Sequence, residues 1–296
     1  MLAYRLSASD INALVDPKKL VTVVEKALIE APRPPRRVAI EYEGSWLGVM
    51  PASGLGFYSV KIVGVYPENP RRSLPLVRGI LMLIDPKSGE ILLEADAGPA
   101  TAWRTAAATI IAFRIMGYGG GVLGVIGAGV QADYHIRFVR DTLGYDKLLI
   151  YDIVSSKAEV LASKYGGIAV SLEEILRRSD AIIAATTSRE PVVHGDILRW
   201  GAIVASIGAP KPVRELDDRV VERSRCLLVD SREGVMSESD EWVKASKLVE
   251  LSEALRGVKC DWGDVRVYKS VGYSLLDLAI AIHLYEMVKS SLPYVI

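Results

Sequence analysis

Residues 123–132 read LGVIGAGVQA, and this stretch decides the fold. An apolar run leads into Gly127, Gly129 and Ala132, and a helical pattern starts directly after the second glycine. In this spacing the first glycine permits a tight turn, the second lets the backbone approach a pyrophosphate, and the small third residue allows close packing of strand and helix. The stretch predicts a dinucleotide-binding Rossmann fold with the phosphates at the helix N-terminus, the alternative being a glycine turn that binds nothing.

Outward from this motif, apolar runs alternate with helical patterns. The runs VLGVIG, LLIYD, AIIAATT, AIVASIG and CLLVD are continuous, which is typical of strands buried on both faces of a parallel sheet. Asp152 ends the run after the motif, where an acid that binds ribose hydroxyls belongs. Because a carboxylate repels a 2′-phosphate and no arginine follows closely, we expect NAD as the cofactor, with NADP as the alternative.

The residues before the motif have another pattern. Between residues 38 and 94, short runs rich in β-branched and aromatic residues are separated by turn residues, which predicts a mostly antiparallel sheet flanked by helices. Residues 101–116 are alanine-rich and begin with a threonine, which predicts a helix. The glycine-rich residues 117–121 cannot continue that helix and mark a domain boundary.

Composition excludes several classes of protein. The 296 residues suggest about two domains, and 36 basic and 36 acidic residues leave no net charge. A balanced charge removes the electrostatic attraction on which nucleic-acid-binding proteins depend. No signal peptide is visible, and no apolar run reaches the ~18 residues that span a membrane. We therefore expect a cytoplasmic protein that binds neither nucleic acid nor membrane.

Cysteine and histidine are scarce. Cys226, Cys260 and the three histidines lie outside metal-ligand spacing of one another, so no metal site is expected. We expect the two cysteines to be unpaired, small buried side chains in a reducing compartment. Catalysis must then depend on lysine, arginine or a cofactor.

Three cationic positions each have a functional and a structural interpretation. Arg104 lies near the start of the alanine-rich helix, where a cation is unfavourable unless an anion binds beside it; a surface arginine is the alternative. Lys61 interrupts the apolar strand FYSVKIVGVY, and alternation alone would turn it to solvent, whereas a buried lysine needs a partner. Arg36 and Arg37 follow two prolines, where a basic surface loop is the simple interpretation.

Taken together, five segments resemble the ornithine cyclodeaminase/μ-crystallin family. They are DAGPATAWRTAAAT, YSVKIVGVYPENP, VLGVIGAGVQA, IGAPKPVRELDD and VYKSVGYSLLD. Their order and spacing match the family from about the PPRR segment to the final helix. The resemblance implies an α/β fold in which both chain ends, residues 1–116 and 274–296, form a mixed substrate-binding and dimerisation domain. Residues 117–273 would form the NAD(P)-binding Rossmann domain, and the protein would be a homodimer.

The resemblance also implies site residues. Arg104 matches an arginine that binds the substrate carboxylate, Lys61 matches the active-site lysine, and Arg36 best matches a second carboxylate-binding arginine, with Arg37 as the alternative. The motif and the resemblance together give the expected cofactor-binding residues: Gly127, Gly129, Val130, Gln131, Ala132, Asp152, Thr186, Lys269, Ser270 and Gly272.

Departures from the family pattern bear on the substrate. Ornithine cyclodeaminases carry acids where this chain has Gly48 and Pro210, and the usual histidine and asparagine are replaced by Ile203 and Ala205. A second substrate amine would lack a counter-charge, and burying it unpaired is costly. LGVMP and RELDD look more like the ketimine reductase and alanine dehydrogenase branches. Other acids that could reach the site are Asp85, Asp96 and Glu238.

These observations lead to one leading hypothesis and two alternatives. The leading hypothesis is an NAD(P)-dependent oxidoreductase that transfers hydride at the α-carbon of a small imino or 2-oxo acid, with Lys61 assisting the proton transfer. The first alternative is ornithine cyclodeaminase, which forms proline and ammonia with catalytic NAD. The second is a non-catalytic, dinucleotide-dependent binding protein of the crystallin type.

Overall fold

A computed structural model describes residues 3–291 and divides the chain into two compact units. The first unit contains the described residues up to Ala107 and those from Tyr273 onward, and the second contains Ala108–Gly272. In this division the boundary falls within a helix, α3 (Ala97–Ile115), whereas the sequence placed it at the glycine-rich residues 117–121.

The first unit is built on a six-stranded sheet. Its strands lie in the order β1-β6-β5-β4-β3-β2, and all neighbours are antiparallel except β1 and β6. A tight turn over residues 85–89 joins two of them. The strands are β1 (Tyr4–Leu6), β2 (Val38–Tyr42), β3 (Ser45–Gly54), β4 (Phe57–Val65), β5 (Val77–Ile84) and β6 (Ile91–Asp96).

Helices cover one face of this sheet. Ser7 and Asp16 cap the first two helices by accepting hydrogen bonds from backbone N–H groups, as short polar side chains do at helix starts. The last helix packs against β3, β4 and β5. Besides the first part of α3 and a 3-10 turn at Asn69–Arg72, the helices are α1 (Ala8–Leu14), α2 (Pro17–Glu30) and α10 (Ser274–Ser291).

Alternation gives the sheet one buried and one partly exposed face. On β4, Ser59, Lys61 and Val63 are buried, whereas Val60 and Ile62 between them are only half-buried. The expectation from alternation alone, that Lys61 faces solvent, is therefore wrong. Lys61 lies on the face that α10 covers and is 1 % exposed.

The second unit is a parallel α/β layer. All neighbouring strands are parallel, and their order is β13-β12-β14-β11-β10-β7-β8-β9. The strands are β7 (Val122–Ile126), β8 (Lys147–Tyr151), β9 (Ile168–Ala169), β10 (Ala181–Ala184), β11 (Ile203–Ser206), β12 (Cys226–Val229), β13 (Lys247–Glu250) and β14 (Arg266–Lys269). The helices are α4 (Val130–Thr142), α5 (Ser155–Tyr165), α6 (Leu172–Arg178), α7 (Asp218–Ser224), α8 (Arg232–Glu238) and α9 (Leu251–Leu255).

This topology confirms the predicted Rossmann fold. The strands are almost wholly buried and apolar, as continuous apolar runs predict. The chain moves outward from β7 to β8 and β9 and then returns to β10 on the other side of β7. In such sheets ligands bind at this switch point, beyond the carboxyl ends of the strands.

Two expectations from the sequence are wrong: the place of Arg104 in its helix and the state of the two cysteines. The alanine-rich helix begins at Ala97, where Asp96 accepts a hydrogen bond from the Gly98 N–H, so Arg104 lies inside the helix and not at its positive end. Cys226 and Cys260 are not unpaired: they form a disulfide with Cα atoms 5.6 Å apart, within the normal range.

Candidate active site

A glycine turn follows β7 in the parallel unit. Gly127 has φ +95°, and a Cβ at this position would lie 2.5 Å from the Ala185 carbonyl oxygen. Only glycine fits both restrictions. The Gly127 N–H donates to the Tyr151 carbonyl, which fixes the turn against β8.

The next glycine leaves open space at a helix start. Gly129 is the N-cap of α4, and a Cβ there would meet no protein atom within 4 Å. Val130 in the first turn is exposed, while Ala132 is fully buried where the helix packs on the sheet. Within residues 3–291 the buried Oε1 of Gln131 has no hydrogen-bond partner. An open helix N-terminus, a close backbone approach and an unpaired polar atom fit a dinucleotide.

Asp152 lies beside this turn at the end of β8. One carboxylate oxygen accepts a hydrogen bond from the Ala128 N–H at 2.7 Å, and the other accepts from the Val154 N–H at 2.8 Å. The acid therefore shapes the phosphate-binding turn itself. Since a carboxylate has about four acceptor positions, Asp152 retains capacity for ribose hydroxyls.

A buried carboxylate, Glu215, ties together the loops after β10 and β11. Its Oε1 accepts from the backbone N–H and hydroxyl of Thr186, and its Oε2 accepts from the Ser206 hydroxyl and the Gly208 N–H. Burial raises the pKa of Glu215, which these donors and the nearby Lys269 oppose. Thr186, predicted to bind the cofactor, is thus held by Glu215.

Lys269 is enclosed beneath these loops. Its Nζ lies 2.5 Å from Glu241 Oε2, 2.9 Å from the Ser206 hydroxyl and 2.7 Å from the Gly208 carbonyl. These three partners use all three ammonium protons, and the side chain is fully buried. These contacts hold the Lys269 side chain against Glu241 and the loop after β11, and the cofactor-binding role expected for Lys269 stays a prediction.

Asp230 organises the segment after β14. Its carboxylate accepts hydrogen bonds from the Ser270 hydroxyl and from the backbone N–H groups of Val271 and Gly272. The donors of Ser270 and Gly272 named here point into the protein, which leaves other atoms of this segment for the predicted cofactor contact.

The first unit contains a separate cluster of buried charges. Asp277 on α10 is 1 % exposed, and its Oδ1 accepts from Lys61 Nζ at 2.8 Å and from Arg104 Nε at 3.1 Å. Thr101, one helical turn before Arg104, lies 3.5 Å from Lys61 Nζ. Among the described residues, Asp277 Oδ2 has no hydrogen-bond partner although it is buried.

In this cluster the pKa of Lys61 lies close to neutral pH. Burial lowers the pKa of Lys61 to about 7; Asp277 opposes the shift, while the positive charges of Arg104 and Arg37 reinforce it. An amine with this pKa both donates and accepts protons near neutral pH.

The second arginine of the cluster is Arg37 and not Arg36, which the sequence favoured. β2 pairs with β3 so that Val38 lies opposite Val49, next to Met50, the cross-strand partner of Lys61, and Arg37 directly precedes this paired strand. The positive charge of Arg37 is among the causes that lower the pKa of Lys61, and that of Arg36 is not. Arg36 is exposed and Arg37 is half-buried.

Two of the alternative acids, Asp85 and Asp96, do not face Lys61. Asp85 accepts a hydrogen bond from the Lys87 N–H in its turn, and Asp96 begins α3 from the opposite face of the sheet. Glu238 belongs to the second unit. The acid beside Lys61 is Asp277, which was not expected from the sequence although it ends the segment VYKSVGYSLLD.

Comparisons with known proteins show what the whole chain is similar to. The model of the ornithine cyclodeaminase/mu-crystallin family matches residues 4–291. Mouse ketimine reductase mu-crystallin is 32 % identical over 261 residues, which cover 84 % of this chain and 82 % of that protein. The structure of Thermococcus litoralis Δ1-pyrroline-2-carboxylate reductase with NADH and L-proline is 33 % identical, covers 97 % of this chain and 98 % of that one, and has a TM-score of 0.89. An archaeal alanine dehydrogenase dimer with bound NAD is 26 % identical, covers 98 % and 97 %, and has a TM-score of 0.90.

Proposed function

The chain belongs to the ornithine cyclodeaminase/mu-crystallin family, and from this premise we propose that it is an NAD-dependent oxidoreductase that reduces the imine of a small α-imino acid. One observation carries the choice of substrate. Lys61 and Arg104 share a single carboxylate, Asp277, and the positive charge of Arg37 also acts on Lys61, so this buried place has an excess of positive charge. Buried charge must be compensated, and a substrate carboxylate does so.

Arg104 is the proposed clamp for that carboxylate. Its Nε is bound to Asp277, and no other hydrogen bond of its guanidinium to the described residues is found. The two terminal nitrogens are therefore available for a bidentate carboxylate. Arg37 adds a second positive charge from the edge of the sheet.

Lys61 is the proposed proton donor. Reduction of an imine adds a hydride to carbon and a proton to nitrogen, and a lysine with a pKa of about 7 carries that proton at neutral pH. After the transfer, Asp277 still accepts a hydrogen bond from the neutral amine. Bound NADH supplies the hydride.

The cofactor is held by the parallel unit in this proposal. The backbone at Gly127 and Gly129, the side chain of Gln131 and the carboxylate of Asp152 form its binding surface, while Glu215 and Lys269 keep the neighbouring loops in place. NAD is favoured over NADP because Asp152 would repel a 2′-phosphate.

The proposal is tested by following NADH absorbance with Δ1-pyrroline-2-carboxylate, Δ1-piperideine-2-carboxylate, or pyruvate plus ammonia. We expect oxidation of NADH with at least one of them, and its loss in Lys61→Ala. Unchanged absorbance with all three would contradict the proposal. Formation of proline from ornithine without net NADH consumption would instead support a cyclodeaminase.

We also propose that the protein is a homodimer joined through the half-exposed face of its antiparallel sheet. Val38, Ile40 and Tyr42 on the edge strand β2 are 66 %, 60 % and 74 % exposed and lie on one face. Leu47, Val49, Val60 and Ile62 continue this apolar face. Apolar surface of this extent in a water-soluble unit is typical of an interface.

The dimer is tested by light scattering during size-exclusion chromatography. Ile40→Glu places a charge on the apolar face and is expected to convert the dimer to a monomer. Glu41→Lys changes a charge on the other face of the same strand and should leave the dimer intact. A wild-type monomer at micromolar concentration would contradict the proposal.

A further inference from the structure

An aromatic ring covers a glycine next to the lysine cluster. A Cβ on Gly48 would lie 2.9 Å from both Cζ2 and Cζ3 of Trp46, closer than real contacts allow. The indole of Trp46 therefore folds back along β3 and fills the position that a side chain at residue 48 would occupy. Trp46 is itself only half-buried, so part of the residue remains accessible.

The ring continues a surface that begins at Lys61. Met50 lies directly across from Lys61 and Gly48 lies across from Val63, so all of them share one face of the sheet. Met50, Val63 and Ala97 form a buried apolar cluster, and Trp46 packs against it. The distance from Met50 to Gly48 along the strand is only about 7 Å.

Helix α3 connects the apolar and charged parts of this surface. Ala97, Thr101 and Arg104 are spaced by four and three residues and therefore lie on one stripe of the helix. Ala97 contacts the apolar cluster, Thr101 lies near Lys61, and Arg104 binds Asp277. A molecule whose carboxylate is held at Arg104 would extend over an apolar floor that ends at the indole.

Charge also distinguishes the two ends of the surface. Beyond Lys61, the side chains along this face are the apolar Val63, Val65 and Val77. The nearest acid in the register is Glu41, which pairs with Trp46 on the exposed edge strand. Since the indole reaches over Gly48 toward Lys61, it lies between that carboxylate and the cluster.

We propose that Trp46 is the specificity-determining residue of this site: it receives an uncharged hydrocarbon part of the substrate, such as the ring of a cyclic α-imino acid, and leaves a second amine or carboxylate without a partner. The inference rests on the proposed imine reductase function and assigns the choice among its substrates to Trp46. A ring methylene placed against an apolar wall contributes about tenfold or more to discrimination.

The test compares two substrates in the same preparation. The quantity measured is the ratio of kcat/KM for Δ1-pyrroline-2-carboxylate to kcat/KM for pyruvate plus ammonia, with NADH saturating. Trp46→Ala should lower this ratio about tenfold, mainly by raising KM for the cyclic substrate, and Trp46→Phe should restore much of it. The wild type should reduce the imine of oxaloacetate, which bears a second carboxylate, far more slowly than the cyclic substrate.

The chain contains a matched control for the removal of an aromatic ring that covers a glycine. Tyr66 covers Gly64 in the same way, with its Cζ 2.6 Å from the position of a Cβ, but on the opposite face of the sheet. Tyr66→Ala should destabilise the sheet to a similar extent and leave the substrate ratio unchanged, because a ratio does not depend on the amount of folded enzyme.

Each outcome separates the two proposals. If the wild type does not oxidise NADH with any of the imines, the proposed function itself is contradicted. A wild type that reduces the cyclic imine, with a ratio that Trp46→Ala leaves unchanged or that Tyr66→Ala lowers equally, overturns only the role of Trp46. Rapid reduction of the dicarboxylic imine by the wild type would overturn it as well.

Discussion

At the residue scale, the site depends on one carboxylate with several cationic neighbours. Asp277 holds Lys61 and Arg104 in place and keeps the buried lysine from losing its proton altogether. If Asp277 were absent, burial and the two arginines would act on Lys61 unopposed. The acid thus sets both the geometry and the protonation of the proposed proton donor.

Asp277→Asn should move the pH dependence of imine reduction to lower pH. The rate requires protonated Lys61, so it falls as pH rises through the pKa of Lys61, which is about 7 in the wild type. Removal of an adjacent negative charge lowers a lysine pKa by about one to three units. The measurement is kcat/KM against pH; Asp96→Asn, on the other face of the sheet, should keep the wild-type profile. A reduced rate with an unmoved pH midpoint would show that Asp277 only supports the fold.

At the element scale, the carboxyl ends of parallel strands meet at one edge, and buried acids fix the loops there. Glu215 joins the ends of β10 and β11, Asp230 at the end of β12 holds the segment after β14, and Glu241 accepts hydrogen bonds from the backbone N–H groups of Glu215 and Leu216. Each loop is therefore secured to a neighbouring loop as well as to its own strand.

Glu215→Gln should weaken NADH binding, although the substitution hardly changes the size of the side chain. All four of its hydrogen-bond partners are donors, and an amide NH2 in place of an oxygen faces two of them without an acceptor. An unsatisfied buried group of this kind costs about 1–3 kcal/mol. We expect a lower melting temperature and a raised Kd in NADH fluorescence titrations. Glu222→Gln, on the exposed side of α7, is the control, and equal NADH affinity in both variants would refute the loop-positioning role.

The elements could be predicted better than the site. Continuous apolar runs predicted the parallel strands, and short runs rich in β-branched and aromatic residues between turn residues predicted the antiparallel ones, because both patterns are local. The start of α3 was placed too late because Asp96 caps it ahead of Pro99, which is tolerated in a first turn. Asp277 could not be linked to Lys61, since 216 residues separate them and only tertiary folding brings them together.

At the scale of the whole molecule, zero formal charge hides an uneven arrangement of ionisable groups. The described helices include none long and apolar enough to cross a membrane.

One buried group, His283 on α10, accepts a hydrogen bond from the Asp16 N–H at the start of α2. Burial lowers the pKa of His283 to about 4, with Asp16 opposing the shift and Lys19 adding to it.

His283 should make the protein less stable in mild acid. Between pH 6.5 and 4 the unfolded chain binds a proton that the folded chain does not, so the free energy of unfolding decreases as pH falls through this window. The contribution lost by pH 5 is about 2 kcal/mol. Denaturant unfolding at pH 7 and pH 5 should show this difference in the wild type and a smaller one in His283→Gln, whose amide also accepts a hydrogen bond. An equal pH dependence in both proteins would contradict the assignment.

The disulfide gives the second unit a covalent ring within its backbone. Cys226 and Cys260 are 34 residues apart, and the ring between them includes Asp230 and Glu241, which fix two of the loops described above. A protease cut within the ring would leave both fragments in one molecule. Such a nicked protein would migrate as one molecule under non-reducing conditions and separate into two pieces only after a thiol is added. A single band on a gel without reductant therefore does not show that the chain is uncut.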